Sequence, residues 1–167
     1  MYQNPVKMVR ERVLLERVSL NENMKFECQF CNKCHKLPVF VFVDEIKRYP
    51  VLAQNSHPCI FNKDFRELNR KGTSCFFLEN HRCRIYAQRP FVCRMYPFYL
   101  DPLTHQLFVD KSCLGLGKGR RISQLELHKM NGSWIEFWEK VSLDPREGKL
   151  ISEELFPACH SFTQLKG

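Results

Sequence analysis

Cys28, Cys31 and Cys34 recur with two residues between each pair, and His35 follows at once. That spacing lets a tight loop turn three sulfurs toward one point. Thiolates are soft ligands that suit Zn²⁺ and iron–sulfur clusters, and an adjacent imidazole adds a nitrogen donor. A C-x2-C-x2-C run also occurs in ferredoxins, where it supplies three corners of a [4Fe–4S] cluster and a remote cysteine supplies the fourth. The competing role is a set of buried thiols, because cysteine packs like a small hydrophobe. Three at so regular a spacing argue for ligation. Cys75, Cys83, Cys93 and Cys113 are more dispersed, and each taken alone reads equally as a core residue.

Elements that must position these residues can be read from the pattern. Asn4-Pro5 is a helix start, and Val6, Val9, Val13 and Leu14 follow at near-helical spacing until Asn21-Glu22-Asn23 breaks the run. Val39 to Val43 is β-branched and aromatic, which predicts a buried strand. Asp44 opens a short helix that ends before Pro50, and residues 64–70 predict another helical turn closed by Gly72. Cys75 to Leu78 and Cys83 to Tyr86 are short apolar pieces around a polar turn. Phe98-Tyr99-Leu100 and Gln106 to Val109 flank Asp101-Pro102-Leu103-Thr104-His105 as a hairpin, with His105 solvated at its tip. Cys113 to Gly119 is a glycine-rich loop that reverses the chain. Two helices are expected next, 122–130 and 134–143, separated by Asn131-Gly132, with Ser133 and Glu136 as a capping box. The tail from Asp144 is less regular. The fold class expected is α+β: a small, irregular, metal-stapled domain of 1–167 with short strands, a hairpin and flanking helices.

Composition narrows the setting. The chain has 167 residues, 44% of them hydrophobic, in the range of one modest globular core. No apolar run is long enough to span a bilayer, and Met1 to Leu20 lacks the apolar stretch of a secretory signal. A cytoplasmic location is therefore expected. In a reducing compartment, spaced cysteines point to metal rather than disulfides, and an odd total of 9 cannot pair completely. The net charge of +8 favours acidic partners, either an acidic protein or a nucleic acid, although the charge is dispersed and its densest run is Lys118-Gly119-Arg120-Arg121. Metal-bound thiolates would offset part of it.

Five separated pieces recur in a familiar order: Cys28-x2-Cys31-x2-Cys34-His35, Cys75-Phe76-Phe77-Leu78, Cys83-Arg84-Ile85-Tyr86 with Arg89-Pro90, Cys93-Arg94-Met95-Tyr96-Pro97, and Cys113-Leu114-Gly115. In these the chain resembles the YkgJ-type cysteine-cluster family, also called CxxCxxCC, of zinc- or iron-chelating proteins. The resemblance covers about residues 28 to 119. It implies a family-like core of about 24–119, with 120–167 as a C-terminal helical extension. His35 departs from the family run, which ends in a second adjacent cysteine. The resemblance implies eight metal ligands: Cys28, Cys31, Cys34, His35, Cys75, Cys83, Cys93 and Cys113. These suffice for two tetrahedral zinc ions or for one cluster with thiols to spare. The expected cofactor is an iron–sulfur cluster or zinc, and the compact triplet favours the cluster, because zinc sites more often take cysteines in pairs. No candidate fourth cysteine is followed by proline, unlike the bacterial ferredoxin run.

The function implied is metal chelation. Two further roles are an electron carrier and, by similarity to flagellin lysine methylases, a component of a protein lysine methyltransferase-like enzyme. No Ser-His-Asp set or carboxylate pair marks a catalytic centre. Arg89 and Arg94 are weighed equally as hydrogen-bond donors to thiolate and as surface ion pairs. Tyr86, Tyr96 and Phe98 are expected to wall the site. Cys59, Cys159 and His81 are expected to serve packing or turns, and Trp134 with Trp138 a core helix face.

Overall fold

The computed structural model describes residues 9, 12–59, 62–141 and 143–156. Its helices and small sheets make this an α+β protein. The chain divides into two compact units. Met1–Gln29 with Pro97–Gly167 form a discontinuous unit, and Phe30–Tyr96 form a continuous one. The first segment of the discontinuous unit carries β1 (Leu15–Arg17) and β2 (Met24–Phe26).

The continuous unit begins with a 3-10 turn at Cys34–Lys36, then β3 (Phe40–Phe42), α1 (Val43–Arg48), α2 (Pro50–Gln54), β4 (Ser56–Pro58) and β5 (Phe65–Leu68). Pro50 ends α1 and supplies the first turn of α2, where its missing N–H costs nothing. Strands order as β3-β5-β4, all antiparallel. Val39, just before β3, and Val41 within it enter a core shared with Leu52, Leu68, Cys75 and Phe77. Two minimal hairpins follow, β6 (Arg70–Lys71) with β7 (Ser74–Cys75), and β8 (Leu78–Glu79) with β9 (Arg82–Cys83). Asn80 and His81 turn the second hairpin at φ 48° and 62°. Two successive left-handed residues give the turn whose twist matches paired strands, and Asn tolerates that region well. A 3-10 turn at Tyr86–Gln88 leads to α3 (Phe91–Met95).

The return to the discontinuous unit supplies β10 (Phe98–Leu100), β11 (Leu107–Asp110), β12 (Leu116–Ile122), α4 (Gln124–Lys140) and α5 (Pro145–Leu155). One sheet orders as β1-β11-β10, and β12 pairs with β2. Phe108, Ile151 and Phe156 form a core against Tyr99, Trp138 and Leu155. Trp134 stacks on Trp138 with centroids 6.1 Å apart, and the Trp138 indole donates to the Leu100 carbonyl at 3.0 Å. Both tryptophans thus serve the expected helix face.

The predicted strand at Val39–Val43, the short helix before Pro50 and the hairpin around Asp101–His105 are present. Five expectations need correction. Leu15–Arg17, placed in the N-terminal helix, is an edge strand on β11; residues 1–8, 10 and 11 lie outside the described residues. Residues 65–68 are not helical but the middle strand of a sheet, because β3 and β4 supply backbone partners on both sides. The helix pair is one continuous α4, capped by Ser123 with Glu126, and Gly132 sits inside it. The tail is α5, started by Asp144 and Pro145. Part of the glycine-rich loop is also strand: Leu116 to Ile122 pairs with β2 across an irregularity between Leu116 and Arg121.

Candidate metal centre

Four thiols of the continuous unit come from four different segments. Cys34 opens the first 3-10 turn, Cys75 ends β7, Cys83 ends β9, and Cys93 lies in α3. The Cys34 turn is closed locally by His35 N–H to the Asn32 carbonyl at 3.1 Å and Lys36 N–H to the Lys33 carbonyl at 3.0 Å. It is tied to the β6–β7 hairpin by Arg70, whose guanidinium donates to the Lys36 carbonyl at 3.1 Å and also to the Thr73 carbonyl. The Cys93 helix is held at its N-terminus by Glu45, which accepts from Phe91 N–H at 2.6 Å and from Phe42 N–H at 3.2 Å. A carboxylate at this end also satisfies backbone donors that a short helix leaves unpaired.

Cys75, Cys83 and Cys93 pack on one apolar core. Burial pushes the Cys93 thiol well above its ordinary range. The neighbouring Cys75, Cys34 and Cys83 raise it further, and Arg89 opposes them. All three other thiols therefore act on Cys93. Cys93 remains a partly exposed residue, yet its sulfur is crowded enough to lose solvation. Burial also raises Cys75 and Cys83. Against that, the Phe77 N–H bonds to Cys75 and the Ile85 N–H to Cys83, each donor two residues beyond its cysteine. Donors aimed at sulfur favour the thiolate over the thiol. Arg89 lies over the Tyr86 ring at 3.6 Å and donates from Nε to the Tyr86 carbonyl at 2.9 Å, which fixes a cation near Cys83 and Cys93. Burial lowers the pKa of His35, which favours the neutral imidazole that a metal needs.

The remaining expected ligands fall as follows. Cys31 is exposed, between Phe30 at φ 51° and Asn32 at φ 63°. Cys28 and Cys113 belong to the discontinuous unit. They lie at one end of the β2–β12 pair, which runs one bond past Phe26 and Leu116 through Glu27 N–H to the Gly115 carbonyl at 3.1 Å. Gly115 is required there, since a Cβ would fall 2.4 Å from the Glu27 carbonyl oxygen. Among the described residues, no group of three or more His, Cys, Asp or Glu side chains is drawn tightly enough to hold an ion as it stands. The mutual influence at Cys93 is thus that of neighbouring thiols, not of a closed ligand shell.

Cys59 is buried and packs, as expected, and Cys159 lies outside the described residues. His81 is an exposed turn residue within 3.0 Å of the Asn32 amide. Tyr86 is half exposed beneath Arg89, and Phe98 is buried in β10 of the discontinuous unit. Arg70 and Glu45 escaped the reading of the sequence. Their partners lie 34 and 46 residues away, and no local spacing marks such a pair.

The pattern that defines CxxCxxCC, described as "Putative zinc- or iron-chelating domain", matches residues 27–121, more than half of the chain. The chain belongs to the CxxCxxCC family. Membership carries metal chelation, with zinc or iron as the metal. The matched stretch includes all eight expected ligands, with His35 where the CxxCxxCC run has its last cysteine. The chain is also similar to "Uncharacterized protein MJ0661" of Methanocaldococcus jannaschii, at 26% identity over 127 residues, which is 68% of this chain and 69% of the relative. No solved structure matches. No helix among the described residues is long and apolar enough to cross a membrane.

Proposed function

We propose that Cys34, Cys75, Cys83 and Cys93 are the ligands of one tetrathiolate metal centre, and that holding this metal is the chain's primary function. The observation that carries the reading is the packing of Cys75, Cys83 and Cys93 on one small core, with Cys34 near enough to raise the Cys93 thiol along with them. The donor chemistry fits: four soft sulfurs, two of them already served by backbone N–H groups, with Arg89 to offset thiolate charge. Cys28, Cys31, His35 and Cys113 remain donors outside this set. A bound zinc would supply a fixed tetrahedral cross-link, and a bound iron–sulfur cluster would supply one-electron redox capacity.

Four thiolates satisfy either metal. The C-x2-C-x2-C run that includes Cys34 favours an iron–sulfur cluster, and with it the electron-carrier role. Anaerobic purification followed by elemental and sulfide analysis and an absorbance spectrum decides the matter. A cluster gives iron with matching sulfide and a broad band near roughly 400 nm. Zinc gives metal without the band. Recovery of neither metal, or full metal content retained in all four single Cys→Ser variants, would overturn the centre.

A further inference from the structure

The continuous unit carries twelve Lys and Arg against five Asp and Glu, a formal net of +7, whereas the whole chain is +8. Nearly all of the protein's excess charge therefore belongs to the unit that bears the four thiols. This partition is invisible along the sequence, whose densest basic run, Lys118 to Arg121, lies in the other unit.

The charge is presented in a specific way. Lys71 and Arg84 both lie over the Phe76 ring, at 4.7 and 5.5 Å from its centroid. Arg82 lies over Phe30 at 5.1 Å, and Arg94 over Phe91 at 6.0 Å. Lys71, Arg82, Arg84 and Arg94 are exposed, and so are Phe30 and Tyr86, at 49% and 50%. Shared rings and short chain steps connect these groups: Phe76 joins Lys71 to Arg84, Tyr86 lies two residues on, and the Arg94 guanidinium bonds to the Arg89 carbonyl at 3.0 Å. Among the described residues no carboxylate forms an ion pair with Lys71, Arg82 or Arg84. Cations paired with aromatic rings rather than carboxylates keep their charge available. Flat guanidinium and aromatic faces side by side are what unpaired bases stack on, while the positive field follows a phosphodiester backbone. An acidic polypeptide would use the charge but has no need of the rings.

We infer that this Arg–aromatic surface of the continuous unit binds single-stranded nucleic acid, a role separate from metal chelation. The test uses the full metal-loaded chain and anisotropy of labelled oligo-dT and oligo-U of about 20 nucleotides, long enough for a site of this kind. Saturable binding that weakens with salt is expected, and the arms report whether DNA or RNA is preferred. Arg82→Ala with Arg84→Ala should reduce the salt slope by about 1.4, from about 0.7 per lost phosphate contact on a single strand. Phe30→Ala should weaken binding from about five-fold to over one-hundred-fold, the range of one lost base stack, and Phe30→Tyr should restore it. Lys118→Ala with Arg121→Ala removes equal charge from the other unit and should change binding little. Unchanged metal content and far-ultraviolet dichroism show that each variant is folded. Three results would each overturn the proposal: no saturable binding of either strand up to about 100 µM, equal losses from both double variants, or competition by poly-glutamate as effective as that by the strands. The last would indicate an acidic protein partner. None of them bears on the metal content that tests the chelation reading.

Discussion

Replacing Cys93 by alanine separates ligation from packing. In the metal-free protein the change deletes one sulfur from a partly buried side chain on the Val39–Phe77 core, and a small deletion of this kind costs about 1 kcal/mol. In the loaded protein it also removes one of four proposed ligands. Structural zinc contributes roughly 10–16 kcal/mol in small domains, so an equal share is about 2.5–4 kcal/mol, or roughly one hundred- to one thousand-fold in affinity. The loaded protein should therefore lose several times more stability than the metal-free one. Cys59→Ala is the control, because Cys59 is a buried cysteine that stands outside the four thiols. It should cost about the same with and without metal, again about 1 kcal/mol. Thermal unfolding of both variants, each measured loaded and stripped, gives the double difference, and competition against a chromophoric chelator gives the affinity. If Cys93→Ala and Cys59→Ala lower the loaded protein by equal amounts, Cys93 is packing and the tetrathiolate reasoning fails.

Three other outcomes follow from the same structure. Burial raises the pKa values of Cys75, Cys83 and Cys93, so these thiols are protonated near neutrality and must release protons to bind metal. Metal affinity should rise with pH, while the metal-free protein should lose stability as pH climbs through the thiol range, because the unfolded thiols ionise first. An affinity that is flat between about pH 6 and 8 would contradict this. Glu45→Gln leaves one carbonyl oxygen to serve the Phe42 and Phe91 N–H groups, and should cost about 1–3 kcal/mol in unfolding measurements; parent-like stability would remove Glu45 as the clamp on α3. Gly132→Ala should stabilise by about 0.5–1 kcal/mol, since the added Cβ meets nothing within 4 Å in a helix interior, and a lower melting temperature would argue against a continuous α4.

The elements that could be read were those whose local pattern agreed with their tertiary role. Val39 to Val43 is β-branched and enters the core through Val39 and Val41. Residues 65–68 show why others failed. Phe65 and Leu68 stand three apart and are 4% and 2% exposed, a spacing that suits one helix face. In the middle strand between β3 and β4, residues three apart point to opposite faces: Phe65 packs against Phe40 and Phe42, and Leu68 enters the Val39–Phe77 core, so both are buried without helical geometry. Asn131-Gly132 reads as a stop, and a helical glycine does cost about 1 kcal/mol relative to alanine. Burial of Leu127, Trp134 and Phe137 on one continuing face outweighs it. The family and its motif order were legible for the same reason as the strand, because each piece of the motif is local. Which cysteines the fold brings into one unit was not legible, since Cys34, Cys75, Cys83 and Cys93 lie on four separate short elements spread over the sequence.

On the tetrathiolate reading, that arrangement also gives the continuous unit a reason to depend on its metal. Its four proposed ligands ride on a 3-10 turn of 3 residues, two strands of 2 and a helix of 5. Helices shorter than about 12 residues and isolated two-stranded hairpins are marginal in water. The Val39–Phe77 core supplies part of the missing stability, but Cys75, Cys83 and Cys93 are themselves among its packing residues. A core so small, lined by polarisable groups, resembles those of other small scaffolds that depend on a cross-link. On the tetrathiolate reading, one metal joins all four segments at once and removes unfolded-state freedom from the long loop between Cys34 and Cys75 and from the shorter ones to Cys83 and Cys93. On that reading Cys75, Cys83 and Cys93 serve the core both as packing residues and as staples. Metal occupancy and order of the continuous unit should then rise together, whichever of zinc or iron fills the centre.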